Sequence, residues 1–182
     1  MPLTPLHLAP AWGVFLTARQ KWSFAGLSIG SVIPDAEIPI LYATGLEMQT
    51  GHGIMHSLLG ALTFDAVLAV LAVYLLYPAL AGFWEGRFGT RWVHFGGVDV
   101  GDVDKLHRVI AGVYLGVVLH ISVDFLTHSS MPYLWPYAGP VSTFSFAGNF
   151  WWTILVNIML LIAILFLMRL HLGRMEDTAP GK

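Results

Sequence analysis

The chain contains no cysteine. Disulfides, thiolate metal sites and cysteine-ligated iron–sulfur clusters are excluded together, so any metal must be held by His, Asp and Glu. Charge is scarce too. Asp, Glu, Lys and Arg make up 11% of the 182 residues, under half the share of about a quarter usual in soluble domains. A soluble fold of this length needs polar cover for its surface, yet 56% of the residues are hydrophobic. Lipid accepts that excess. The net charge of −2 leaves no basic surface for nucleic acid and no acidic tail. Met1-Pro2-Leu3-Thr4-Pro5 lacks a basic region ahead of an apolar core, so no cleaved signal peptide is expected. Internal repeats, low-complexity runs, a serine-nucleophile motif and a phosphate-binding loop are missing from the sequence.

What is present reads as an all-α integral membrane protein in one domain over 1–182. It is expected to be a helical bundle of about five segments: three long transmembrane helices and an N-terminal helical hairpin. The clearest span runs from Phe150 to about Leu170, with Trp151 and Trp152 at one end and Arg169 and Arg174 at the other. Roughly 20 apolar residues cross the hydrocarbon core, and aromatics and arginines suit its two interfaces. A second span runs from roughly Ile54 to Leu80, with Asp65 as its only charge, and a third from about Leu106 to Thr127. Two shorter apolar stretches, Leu6 to Ala18 and Trp22 to Ile33, flank Arg19-Gln20-Lys21 and form the hairpin. Pro34 disfavours helix at Ile33 and opens a turn. Residues 82–104 and 129–148 read as loops.

The positive-inside rule sets a topology. Five segments put Arg19, Lys21, Arg87, Arg91, Lys105, Arg108, Arg169 and Arg174 on one side, the cytoplasmic one. The 82–104 loop and the C-terminus are then cytoplasmic, and the 129–148 loop is outer. The protein is expected in the cell inner (plasma) membrane.

The polar residues converge on the other face. His7 precedes the first segment, Asp35 and Glu37 follow the second, and His52 and His56 open the third. His120, Asp124 and His128 occupy the far half of the fourth, about 20 Å or more from its basic start at about 1.5 Å per residue. His52 and His56 are spaced i, i+4, as are His120, Asp124 and His128, so each set is expected on one helical face. Such groups within a span should face the bundle interior. Imidazole with carboxylate suits zinc and other first-row divalent ions, and an aspartate between two cations would relieve their repulsion. The expected ligands are His7, Asp35, His52, His56, His120, Asp124 and His128, holding one to three divalent ions, zinc first among them. Glu37 is a candidate base. His94, His107 and His171, on the basic side, read as structural. Asp65, nine residues past His56, falls about half a revolution away and is expected to meet a neighbouring helix or stand behind the ligands.

Gly30-Ser-Val-Ile-Pro34-Asp35-Ala-Glu37, His52-Gly-Ile-Met-His56-Ser57-Leu-Leu and Gly116-Val-Val-Leu-His120-Ile-Ser-Val-Asp124-Phe-Leu-Thr127 resemble the YdjM-like family of small bacterial and archaeal membrane proteins. Pro132-Tyr-Leu-Trp-Pro136 fits the same pattern, and Thr4-Pro-Leu-His7 with Pro10 resembles an archaeal branch. That resemblance implies a membrane-bound metal-dependent hydrolase. Its motifs are in turn similar to the metal-binding stretches of zinc-dependent phospholipase C, which implies a phosphoester by analogy alone. The chain departs from the pattern at Glu37, where a second aspartate is usual, at Gly53, where an arginine is usual, and at Met55, where a threonine is usual.

Three functions remain open on sequence. The first is a hydrolase acting on a small-molecule or lipid substrate near the outer face of the bilayer. The second is a haem or other redox subunit using paired histidines. The third is a non-enzymatic scaffold or ion-conducting protein, which as a complete transporter would need a homo-oligomer.

Overall fold

The computed structural model describes residues 4–18, 21–45, 52–88 and 103–177. Its helices are α1 (Leu8–Thr17), α2 (Phe24–Gly30), α3 (Glu37–Thr44), α4 (Leu58–Leu75), α5 (Tyr77–Phe88), α6 (Val103–Thr127) and α7 (Phe150–Asp177). Three 3₁₀ turns, Thr4–His7, Ile33–Ala36 and Ile54–His56, lead into α1, α3 and α4. The expected all-α membrane architecture holds. Three helices are long and apolar enough to cross a bilayer: α4, α6 over Val103–Thr127, and α7 over Phe150–His171. The pair α2 plus Ile33–Thr44 makes a fourth candidate, bent by 46°.

The bundle is organised by a glycine seam. Gly26 and Gly30 on α2 meet Gly112 and Gly116 on α6, with three residues between the glycines of each helix. A Cβ on Gly30 would lie 2.4 Å from the Val113 carbonyl oxygen, and one on Gly116 would lie 2.4 Å from that of Leu27. No side chain fits there, so backbone packs on backbone, as in small-residue helix pairs in membranes. The register advances together along both helices, Gly26 by Val109 and Gly30 by Val113, so α2 and α6 run parallel. The Ala61, Ala66, Ala69 and Val73 face of α4 closes the core against Val109, Val113, Val117 and Ile121. Helix α1 packs through Ala11, Phe15 and Leu16 on Leu27, with Leu167 of α7 alongside. The exposed face of α7 carries Ile158, Ile162, Leu165 and Phe166, the surface a lipid-facing helix requires.

Three expectations change. The third segment begins as a helix at Leu58, not Ile54, because Ser57 is extended and caps the helix by accepting from Gly60 N–H. Its continuation is helical through Phe88, so 82–88 is not loop; Pro78 sits in the first turn of α5, where its missing N–H costs nothing. The rest of the expected 82–104 loop to residue 102 lies outside the described residues. The stretch after Pro34 is also helical, as a 3₁₀ turn continuing into α3, because proline is tolerated in a first turn. Between α6 and α7, β1 (Ser130–Met131) and β2 (Val141–Ser142) pair antiparallel in a chain that is otherwise turns.

Candidate metal centre

Helix α2 stops at Gly30 and the chain bends through Ser31 and Val32. That bend has two consequences. It leaves the Ser31 carbonyl without a place in a helical ladder, and it delivers Asp35 and Glu37 beside α6. On α6, His120 and Asp124 share the buried face one turn apart. Ring nitrogen Nδ1 of His120 donates to the Ser31 carbonyl at 2.8 Å. Its Nε2 therefore points inward, 3.0 Å from Asp124 Oδ2 and 3.6 Å from Asp35 Oδ1.

His56 is oriented in the same manner from the opposite side. Its Nδ1 donates to Glu37 Oε1 at 2.6 Å, which turns Nε2 toward Asp124 Oδ2 at 3.3 Å and Asp35 Oδ1 at 3.5 Å. The two Nε2 atoms are 3.3 Å apart. Asp35, His56, His120 and Asp124 thus offer one ligand atom each within 4.8 Å of one another, all buried. Two imidazoles with their second nitrogen fixed by a carboxylate or a carbonyl are in the form a divalent ion binds. Asp124 Oδ2 is buried and makes no well-aligned hydrogen bond. A cation would satisfy that oxygen, so the residues fit a metal.

Further groups surround this core. His7 stacks on His120 with ring centroids 4.0 Å apart and brings Nε2 to 3.6 Å from Asp124 Oδ1. His128, one residue past α6, has Nδ1 3.5 Å from the same oxygen and Nε2 3.1 Å from His52 Nε2. Asp124 therefore turns one oxygen to His56 and His120 and the other to His7 and His128. Glu37, His52 and His56 form a second group with ligand atoms within 4.8 Å.

Burial holds His7 down to about 4, helped by His120, and His52 down to about 3, helped by His56; burial lowers His128 as well. These rings are neutral at neutral pH, the state that ligation requires. His56 differs. Burial opposes its charge, but Asp124, Asp35 and Glu37 outweigh that and push it well above the ordinary histidine value.

All seven residues expected as ligands come together, with two changes of detail. His52 and His56 do not share a helical face: His52 lies outside any helix and His56 ends a 3₁₀ turn, although their centroids are 4.1 Å apart. Glu37, expected as a base, has both oxygens engaged. Oε1 accepts from Gly53 N–H at 2.6 Å as well as from His56, and Oε2 accepts from Met55 N–H at 2.9 Å. The backbone of 53–55 is thereby fastened to α3, and a Cβ on Gly53 would meet Glu37 Oε2 at 2.7 Å. Asp65 is buried, as a residue standing behind the ligands would be, but neither of its oxygens has a hydrogen-bond partner among the described residues. His171 is buried and accepts from Trp12 Nε1 at 3.5 Å, His107 is exposed, and His94 lies outside the described residues. Sequence reading passed over Ser31, whose contribution is a backbone carbonyl, and the glycine seam, which the spacing of Gly26 with Gly30 and Gly112 with Gly116 could have revealed.

Among known proteins, a family model described as YdjM inner membrane protein matches residues 3–178. No curated protein and no solved structure matches.

Proposed function

Because this chain belongs to the YdjM inner membrane protein family, we propose that it is a membrane-embedded metal-dependent hydrolase acting on a phosphoester or lipid-like substrate near the outer face. One observation carries the reading. The Nε2 atoms of His56 and His120 converge with oxygens of Asp35 and Asp124 while each Nδ1 is tied to a fixed acceptor. In this reading Asp35, His56, His120 and Asp124 hold a first divalent ion, zinc being the best match to two imidazoles and two carboxylates. His7, His52 and His128 serve up to two more, with Asp124 facing both sides. A bound ion would supply water activation and polarisation of a phosphoryl or acyl oxygen.

The chain's own groups do the rest. Ser31 and Glu37 select the tautomers of His120 and His56. Glu37 acts as a positioning residue, its two oxygens accepting from the Gly53 and Met55 N–H groups and from His56 Nδ1. The buried walls exclude bulk water, which strengthens every charge interaction at the site. The positive-inside rule supports the orientation in which the site faces outward and the C-terminus is cytoplasmic. The haem alternative is disfavoured, since the rings of His56 and His120, 5.2 Å apart at 61°, leave no plane for a macrocycle between them.

Zinc content of the purified protein, followed by a screen of phosphoester and lipid-ester substrates, tests the proposal. Stoichiometric zinc lost in His120→Ala and Asp124→Ala, with hydrolysis lost alongside, is the expected result. Full zinc in the double variant would sink it.

A further inference from the structure

Four buried carboxyls occur among the described residues: Asp35, Glu37, Asp65 and Asp124. The cluster accounts for three. Asp65 closes the π-helical turn Ala61–Asp65 inside the α4 span, is 0% exposed, and has no hydrogen-bond partner on either oxygen among the described residues. Its neighbours in sequence, Ala61, Ala66 and Ala69, belong to the core with Val113 and Tyr133, and Tyr74 packs against that core. Helix α2 brings no titratable residue against it, and α5 carries Glu85 and Arg87 only in its last turn. The titratable groups within electrostatic reach belong to the metal cluster: His56 from the turn before α4, Glu37 from α3 and His120 from α6.

An ionised carboxylate in a membrane span with neither a hydrogen bond nor a paired cation is strongly disfavoured; a neutral carboxylic acid is not. Cations loaded next to His56 and His120 reverse that balance, because a nearby positive charge favours the ionised form. We propose that Asp65 is a proton-carrying side chain coupled to the cluster, neutral while the site holds no metal ion and giving up its proton when metal ions bring in more positive charge than the His56 proton they displace. The O–H bond breaks, the electron pair remains on the carboxylate, and the proton leaves to water. Metal loading and proton release are then linked through a residue that touches no metal, and the buried site keeps a nearly constant total charge. π-helical turns recur where a helix serves a function, and this one ends on the residue in question. The inference rests on the metal reading above.

The test uses the full chain in detergent, with zinc as the probe. Infrared difference spectra of metal-free protein at neutral pH are expected to contain the carbonyl stretch of a protonated carboxylic acid without hydrogen bonds. The band should weaken as zinc is added. It should be missing in Asp65→Asn and shifted in Asp65→Glu. In weakly buffered solution, Asp65→Asn should bind as much zinc as wild type and release one proton fewer per site filled. A metal-free wild type without the band, a band untouched by both substitutions, or equal proton release in wild type and Asp65→Asn would overturn the proposal while leaving zinc binding intact. If Asp65→Asn does not accumulate, the wild-type band and its shift in Asp65→Glu decide. Protein that never takes up zinc defeats the metal reading, and the coupling with it.

Discussion

The two halves of α6 are built for opposite purposes. From Val109 to Val117 the buried face is glycine and valine, pressed against the backbone of α2 and the alanine face of α4. From His120 to Asp124 the buried face carries an imidazole and a carboxylate whose partners are other polar groups. The first half gains from close backbone contact, which needs no specific chemistry. The second half belongs to an array of desolvated polar atoms, its imidazole oriented by the Ser31 carbonyl. The first half therefore sets the height at which α2 ends, and so the height at which Asp35 meets His120. Packing positions the chemistry from a distance of two turns.

The sharpest way to break this division is Gly30→Ala with Gly116→Ala. Each added methyl lands on a carbonyl oxygen and is expected to cost about 1–3 kcal/mol. Thermal unfolding in detergent should report the loss, and zinc content should fall with it although no ligand has changed. An unaltered melting temperature would mean the seam is not what holds the halves in register. His120→Ala should do the reverse: zinc affinity falls by more than about 100-fold while the far-ultraviolet spectrum and expression level stay close to wild type. Collapse of the fold in this variant would mean that the two halves are not separable.

Glu37→Gln comes next. One amide oxygen cannot replace two acceptors, and the amide N–H₂ would face a backbone donor, so zinc affinity should drop by about 10–100-fold; titration against a competing chelator measures it. Acidity acts through His56. Its proton is held well above the ordinary histidine value, so it must leave before Nε2 can ligate. Zinc affinity is therefore expected to weaken as pH falls through the neutral range, by about tenfold per unit for each proton displaced. His7 and His52 are neutral until near about 4 and about 3 and add nothing to that slope. A pH-independent affinity between 6 and 8, on the order of one pH unit either side of neutral, would contradict the assignment. The smallest effect is Trp152→Phe. It removes the 2.7 Å hydrogen bond from Trp152 Nε1 to the Leu126 carbonyl and should cost about 1 kcal/mol, without altering zinc content.

Much of this was legible in the residues. The apolar spans and the convergence of His7, Asp35, His56, His120 and Asp124 follow from hydropathy, spacing and charge placement. The local path of the chain was harder to read. An i, i+4 spacing at His52 and His56 implied a helix, yet Ser57 caps α4 one residue later and the two rings meet through irregular chain and a 3₁₀ turn. Spacing constrains direction only once a helix is known to be there. Glu37 read as a candidate base, and only coordinates reveal the three donors that its oxygens accept from. Two departures from the resemblance's pattern, Glu37 and Gly53, prove to touch, since a side chain at 53 would strike the glutamate. They read as separate oddities in the sequence and as one arrangement in space.

The acceptor that orients His120 is the Ser31 carbonyl, an atom every amino acid supplies. Side-chain scanning at position 31 would leave it in place and report the site as indifferent. An amide-to-ester exchange between Ser31 and Val32, which weakens that oxygen as an acceptor while keeping the side chains, would expose the dependence. Comparison of sequences is blind to such a contribution, because what must persist is a bend in the main chain and not the identity of any letter.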